Sequence, residues 1–385
     1  MQRLRIGIIG AGLMGREFAS AAARWCHLVE PVAEPVITAV ASRTDKSVDW
    51  FRRNVSTVRT TSTDYCDVLA DGDVDAVYCA VPHDLHERVF VEAIEAGKHL
   101  LGEKPFGIDR AANRAIAAAA AKRPDLVVRC VSQFPFFPGA QRVFAAIRDG
   151  RVGRVLEVEA GFQHCSDLDP DKKINWKRMV ERNGEYGCMG DLGMHVLHIP
   201  LRAGWRPANV RAILSNVRPD RPNDEGVRVP CDTWDNATLL CEVDAPGGGF
   251  PMTLKYQRVA PGQTNTWYIR VVGERHCAAF TLKTPRTLRT LDYEPGEAQV
   301  WKSEDLGYES VYPTISGRIF EFGFGDAIQQ MFAAFCEQVV RGNDADVPFG
   351  CATMAETSAH HAVLTAALAS HRDGSVARVD YDAAG

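Results

Sequence analysis

The chain has no C-x-x-C pair, no dense stripe of lysine and arginine, and no apolar run near the roughly 20 residues that a membrane helix needs. Eleven cysteines, scattered from Cys26 to Cys351, are an odd and dispersed set that predicts reduced thiols, not a disulfide framework. With 44 Lys and Arg against 49 Asp and Glu, the net charge of −5 argues against nucleic acid or an anionic membrane as a partner. The first apolar run, LRIGIIG, begins at Leu4 and leaves no room for a signal peptide, so the expectation is a soluble, cytoplasmic protein. Internal repeats are lacking as well.

What is present is 385 residues of ordinary globular composition, enough for two domains. The first third alternates strand-like and helical runs. LRIGIIG reads as a strand, MGREFASAAARW as a helix with Phe18, Ala22 and Trp25 on its apolar face, VITAVAS and DAVYCAVP as strands, and LHERVFVEAIEAG as a helix closed by Gly97. HLLGEKP, an Ala-rich helix from about Asp109 to Lys122, and LVVRCVSQF follow. Such alternation predicts a doubly wound parallel sheet over residues 1–134. After Phe134 the pattern changes. RVLEVEAGF places Leu156, Val158, Ala160 and Phe162 on one side, and NATLLCEVD, FPMTLKYQRV, NTWYIRVVGE and CAAFTLK follow at hairpin-like separations. These predict an α+β domain over 135–385 with a large, mostly antiparallel open sheet. Its last helices lie at about 326–372, and Pro219 to Pro230 reads as an exposed loop.

GAGLMG, Gly10 to Gly15, sits directly between the first strand and the first helix, the context in which G-x-G-x-x-G binds a dinucleotide. Gly10 permits the turn, Gly12 lets backbone approach a pyrophosphate, and Gly15 allows close helix–strand packing. Leu13 and Met14 then open the helix whose N–H groups face the phosphates. After the second strand, the acid that holds an NAD ribose is missing. Ser42 and Arg43 stand there instead and favour NADP over NAD, because a guanidinium meets a 2′-phosphate in a bidentate way. Arg43 stacked on an adenine would suit NAD equally.

Ligands collect at the carboxyl ends of parallel strands. Pro82, His83 and nearby His86, with Glu103 and Lys104 of GKHLLGEKPF, are therefore cofactor-rim candidates, and Pro105 fixes a turn there through a bond that can be cis. In GDLGMHVLH, helical spacing puts Asp191, His195 and His198 on one face amid apolar neighbours. Cys188 close by admits a zinc reading, set aside because oxidation of an alcohol by a dinucleotide needs no metal. Trp176 and Lys177, in INWKRM, are candidates for substrate contact.

Together GAGLMG, VPHDLH…AGKHLLGEKPF and GDLGMH resemble the glucose–fructose oxidoreductase, inositol dehydrogenase and rhizopine-catabolism family, written Gfo/Idh/MocA, from end to end of the chain. The resemblance implies an N-terminal Rossmann domain, a C-terminal domain whose terminal helices pack back towards it, and an NAD(P)-dependent oxidoreductase acting on a sugar, cyclitol or glycoside. It implies that Lys104 contacts both nicotinamide and substrate hydroxyl, that Asp191 binds substrate, and that His195 is the acid/base, with Phe134 and His198 at substrate positions. It also implies a homo-oligomer, dimer or tetramer, formed through the open sheet. The sequence departs from the family at His83, where many relatives carry Asn, at His198, where Asp is common, and at Gln133, where Arg is frequent. HLVEPVAEP is extra sequence before the second strand, expected to lengthen the cofactor rim or to meet another subunit.

These residue types suit the chemistry. Hydride leaves a carbinol only as its hydroxyl proton departs, and a neutral imidazole is a fitting base near pH 7. A fixed ammonium stabilises the developing alkoxide by about 3 kcal/mol. Two other readings remain open: redox-neutral glycoside cleavage through transient ring oxidation with a retained cofactor, and a non-catalytic dinucleotide sensor.

Overall fold

The computed structural model describes residues 2–382 except 246 and 308. Two compact units emerge, one of Met1–Gly107, Ala111–Phe136 and Tyr308–Met354, the other of Ile108–Arg110, Phe137–Gly307 and Ala355–Gly385.

Six parallel strands build the first unit: β1 (Gln2–Ile9), β2 (Ala33–Ala41), β3 (Thr60–Ser62), β4 (Ala76–Cys79), β5 (His99–Gly102) and β6 (Val128–Cys130). Their order, β3-β2-β1-β4-β5-β6, is the doubly wound arrangement whose direction of winding reverses beside β1. The near-continuous apolar runs of β1 and β4 are buried because helices cover both faces. β3, only TTS, carries too little apolar signal to be read from sequence.

The first helix runs Leu13–Ala23 and buries Phe18, Ala19 and Ala21. Trp25 therefore lies beyond the helix, in a short 3-10 turn, and Ala22 is not fully buried. Phe18 stacks flat on Tyr78 at 4.0 Å, and Phe332 of the helix Phe324–Arg341 packs on both Phe18 and Trp25. A helix from the far end of the chain thus completes the core of this unit. The extra segment after the first helix is pinned within the same unit: Val29 N donates to Pro313 O and Ile315 N to His27 O, each at 2.9 Å, while Ala33 onward already belongs to β2.

The second unit is built on a nine-stranded sheet. Its strands are β7 (Val155–Gln163), β8 (Pro207–Ser215), β11 (Asn236–Val243), β12 (Phe250–Gln257), β13 (Thr266–Gly273), β14 (His276–Thr281), β15 (Thr287–Asp292), β16 (Lys302–Asp305) and β17 (Ala377–Arg378), with β9 (Asp220–Pro222) and β10 (Arg228–Pro230) forming a separate hairpin. The order is β16-β15-β14-β13-β7-β12-β11-β8-β17, and every pairing is antiparallel except β7 with β12. Period-2 alternation holds along β11 and β12, where Ala237, Leu239, Cys241 and Val243 and then Phe250, Met252, Leu254 and Tyr256 are buried. On β7, Val158, Ala160 and Phe162 are buried as expected, whereas Leu156 is exposed.

Pro219 to Pro230 is largely exposed, as its composition suggested, but it is not all loop. It contains the β9–β10 hairpin, and Arg221 within it is fully buried. That guanidinium donates to the carbonyls of Asp167, Asp169 and Lys172, so it holds the 167–172 loop in place. Among the described residues no helix is long and apolar enough to cross a membrane.

Candidate functional site

In the first unit the glycine loop opens at the carboxyl end of β1, where the winding of the sheet reverses. Gly10 N donates to Ala41 O and Ala80 N to Ile9 O, tying the loop to β2 and to the segment after β4. Gly10 has φ +107, and a Cβ there would lie 2.3 Å from Ala80 O, so only glycine fits. A Cβ on Gly15 would come equally close to Gly10 O, which is the close helix–strand packing expected. Gly12 is different: a Cβ there would meet nothing within 4 Å. No packing against the described residues demands a glycine at that position, so the space beside it is open to a ligand. The helix that follows has no side-chain cap and no acid in its first turn, so its N–H groups and positive end remain suited to a pyrophosphate. Leu13 is exposed and Met14 half-buried at that end. The residues present fit a dinucleotide.

Ser42 and Arg43 follow β2, with Ser42 N held by Ser62 O at 3.1 Å. Asp45, the nearest acid, stands in the first turn of the helix Asp45–Asn54 and pairs with Arg52 at 3.0 Å.

Glu103 and Lys104 emerge at the end of β5, and the Lys104–Pro105 bond is cis. The buried Tyr78 hydroxyl, raised well above its ordinary pKa by burial and then by Glu103, stays protonated and donates to Glu103 at 2.8 Å. Glu103 is thereby fixed by the neighbouring strand. Beyond Pro105 the chain turns through Phe106, a non-glycine residue at φ +69, whose carbonyl is held by the Asn113 side chain at 2.9 Å. Asn113 gave one signal in sequence, as the lone amide in a helix otherwise of Ala, Arg and Ile.

Pro82 and His83 follow β4, with Pro82 half-buried and His83 buried. His86, expected on the cofactor rim, is fully buried and has another task. Gly107 N donates to its Nδ1 at 3.4 Å, so its proton sits on Nε2, which donates to Val81 O at 3.1 Å. The imidazole ties the loop after β4 to the loop after β5, as a main-chain brace. Phe134, expected at the substrate, is buried in this unit with its ring 6.0 Å from that of Phe324.

In the second unit the helix Cys188–Arg202 carries Asp191, His195 and His198, all buried. Asp191 lies in its first turn. One carboxylate oxygen accepts from Lys177 Nζ at 2.8 Å and the other from the buried Arg258 guanidinium. Arg258 also donates to Asp167 at 2.7 Å; Asp167 in turn meets Lys172 at 3.1 Å and Arg178 at 3.5 Å, and Arg178 pairs with Asp235. The result is an alternating chain of charges, Lys177–Asp191–Arg258–Asp167–Arg178–Asp235. Burial alone would raise the Asp167 carboxyl, but Arg258, with Arg178 and Lys172, outweighs it and holds the group well below the usual carboxylate range. Sequence reasoning missed Arg258, Asp167, Arg178 and Asp235. The register offered a signal for Arg258: it continues the buried alternation of β12 two residues past Tyr256, where a core residue was due.

Lys177 spans from Asp191 to the Trp176 ring, 5.6 Å from its ammonium, so Trp176, Lys177 and Asp191 form one group. His195 follows one turn after Asp191. Its carbonyl accepts from Trp267 Nε1 at 2.8 Å, and its ring meets Phe162 edge-on at 5.7 Å. The glycine between them has a reason as well: a Cβ on Gly193 would lie 2.4 Å from Nε2 of the buried His360. His198, expected at the substrate, lies fully buried with Nε2 3.0 Å from Arg202, which itself pairs with Glu356. Burial, and then Arg202, push its pKa to about 3. It is a neutral partner of Arg202 inside the unit.

The family model described as "Oxidoreductase family, NAD-binding Rossmann fold" matches residues 4–129, and the "GFO/IDH/MocA C-terminal domain" matches 140–278. A curated relative, levoglucosan dehydrogenase of Pseudarthrobacter phenanthrenivorans, is 28% identical over 227 residues, 59% of this chain and 57% of that protein. The chain thus matches little more than half the length of this relative. Among solved structures, an oxidoreductase domain protein from Kribbella flavida superposes with a TM-score of 0.89 at 24% identity, covering 99% of this chain and 100% of that one. A levoglucosan dehydrogenase in complex with NADH and levoglucosan superposes with a TM-score of 0.87 at 21% identity, covering 98% and 100%. With both halves matched in order, the chain belongs to the GFO/IDH/MocA oxidoreductase family.

Proposed function

We propose that this protein transfers hydride between a secondary hydroxyl of a sugar, cyclitol or glycoside and a nicotinamide dinucleotide. The observation that carries the reading is the E-K-P turn at the end of β5, two strands from the glycine loop on the same parallel sheet and braced by Tyr78, His86 and Asn113. Bound at that loop, the nicotinamide supplies the hydride acceptor or donor. Lys104 stabilises the alkoxide and His195 takes or returns the hydroxyl proton. Asp191 keeps Lys177 and Arg258 in place one turn before His195, and Trp176 offers an indole face to a ring. NADP is favoured over NAD: no acid follows β2 directly, Asp45 is engaged with Arg52, and Arg43 makes no ion pair among the described residues.

Two of the three similar proteins named above are levoglucosan dehydrogenases, which supports a carbohydrate ligand here. The outward face of the second sheet exposes Ile213 and Leu240, and a second copy of the chain is its proposed partner, giving a dimer or tetramer. Light scattering of wild type and Leu240→Glu checks that.

The test is a panel of D-glucose, D-xylose, myo-inositol, levoglucosan and methyl glucosides, each with NAD and NADP. Stoichiometric NAD(P)H is expected from at least one, with Lys104→Ala and His195→Ala each lowering kcat at least a hundredfold while retaining the cofactor. Glycoside cleavage without net NAD(P)H, or full activity in Lys104→Ala, refutes the proposal.

A further inference from the structure

His164 follows the last residue of β7 and continues that strand's pairing, its N–H donating to Gln257 O at 2.8 Å. It stands on the same wall as His195. The Phe162 ring is edge-on to both imidazoles, each at 5.7 Å, so one aromatic residue sets both. Two residues on, Ser166 N donates to His164 Nδ1 at 3.3 Å. A ring nitrogen that accepts carries no proton, so the proton of the neutral ring is on Nε2. That N–H has no protein partner among the described residues, and it is the part of a residue only 9% exposed that meets solvent. The charged groups acting on it are Arg258 after β12, Lys177 before the Asp191 helix, Asp191 itself, and Asp167 in its own loop. Burial first, and then Arg258, push its pKa to about 3, against the smaller pull of Asp191 and Asp167. Across the working pH range it is a neutral donor with a fixed tautomer.

We infer that His164 is a substrate-binding residue whose Nε2–H donates to a hydroxyl oxygen of the polyol that His195 acts upon. This rests on the proposed function above. The physical reason is that Nε2, unlike the rest of the residue, reaches solvent, so a neutral donor of fixed tautomer beside His195 can exchange water for a substrate oxygen, and it would be left without an acceptor once a bound ligand excludes that water. The same cost makes it a specificity device: a substrate lacking that hydroxyl leaves the donor stranded and is rejected.

The experiment compares wild type, His164→Phe and His164→Gln, loaded with cofactor, by steady-state kinetics and by calorimetric binding of the best sugar of the panel and its deoxy analogues. Phenylalanine keeps a ring and removes the donor; glutamine keeps an amide N–H near the position of Nε2. In His164→Phe, KM and Kd are expected to rise about tenfold with kcat within threefold, as a lost neutral hydrogen bond implies. His164→Gln should recover most of the affinity. One deoxy sugar should bind tenfold worse to wild type yet no worse to His164→Phe. The kcat/KM profile between pH 5 and 9 should keep its midpoints in all three. Unchanged Kd in His164→Phe, a glutamine variant no better than phenylalanine, or a shifted pH midpoint would each overturn the assignment. If wild type binds a sugar but yields no NAD(P)H, the dehydrogenase reading falls while the Kd ratio still decides the role of His164. If wild type binds no polyol at all, both fall.

Discussion

Replacing Arg258 by methionine removes the cation at the centre of the alternating charge chain while nearly preserving its volume. Breaking a buried ion pair by deleting one partner costs about 3–5 kcal/mol, mostly through the charge left behind. Here Asp191 keeps Lys177 at 2.8 Å, and Asp167 keeps Lys172 at 3.1 Å and Arg178 at 3.5 Å. Neither carboxylate is stranded, so the lower end, about 3 kcal/mol, applies. For a unit of this size that lowers the melting midpoint by about 6–12 °C. Calorimetry at pH 7.5 reads it. Arg258→Lys, which keeps the charge but cannot fork to two carboxylates, should lose about half as much. Adding Asp167→Asn to Arg258→Met should restore part of the loss, because the neutral amide no longer needs the cation. A midpoint within roughly 2 °C of wild type for Arg258→Met, or further loss in the double variant, would refute the reasoning.

Acid should destabilise the protein earlier than carboxylate titration alone would. His164 and His198 are buried with pKa values near 3, and His360 is pushed well below the ordinary value by burial, then by His361 and His195. Unfolded, all three protonate near pH 6.5, so stability is full above that pH and falls as pH drops towards 3, by roughly 1–1.5 kcal/mol per pH unit for each. Urea midpoints flat between pH 7.5 and 5 would contradict this. Gly193→Ala should cost about 1–3 kcal/mol by driving a methyl into His360; a thermal melt checks it, and Gly193→Ala/His360→Ala should recover part of the loss. Tyr78→Phe leaves Glu103 without its buried donor and should lower the urea-derived stability by about 1–3 kcal/mol, with an unchanged midpoint counting against the brace.

Much of the architecture follows from local pattern. The strand–glycine loop–helix unit, the alternation of β11 and β12, and both terminal helices are set by side-chain period and by residues such as Gly10 that admit one backbone conformation. These signals lie within a few residues of one another. Lys104, Asp191 and His195 could be singled out for the same reason, each standing in a short motif, and their roles are the proposal made above.

Other assignments depended on partners distant in sequence. His86 braces the main chain around Val81 and Gly107, and His198 meets Arg202 of the Arg202–Glu356 pair, contacts that their own short motifs do not show. Arg221 looks like loop charge until the fold wraps the 167–172 carbonyls around it. Arg258 is separated from Asp191 by 67 positions and from Asp167 by 91, and it joins them because β12 lies beside β7 and ends where the Asp191 helix begins its first turn. Local pattern thus yields the two-domain architecture, most of the long strands and helices, and the family. Which charges are buried together emerges from the packing of whole elements, because pairing needs partners that no short stretch of chain contains.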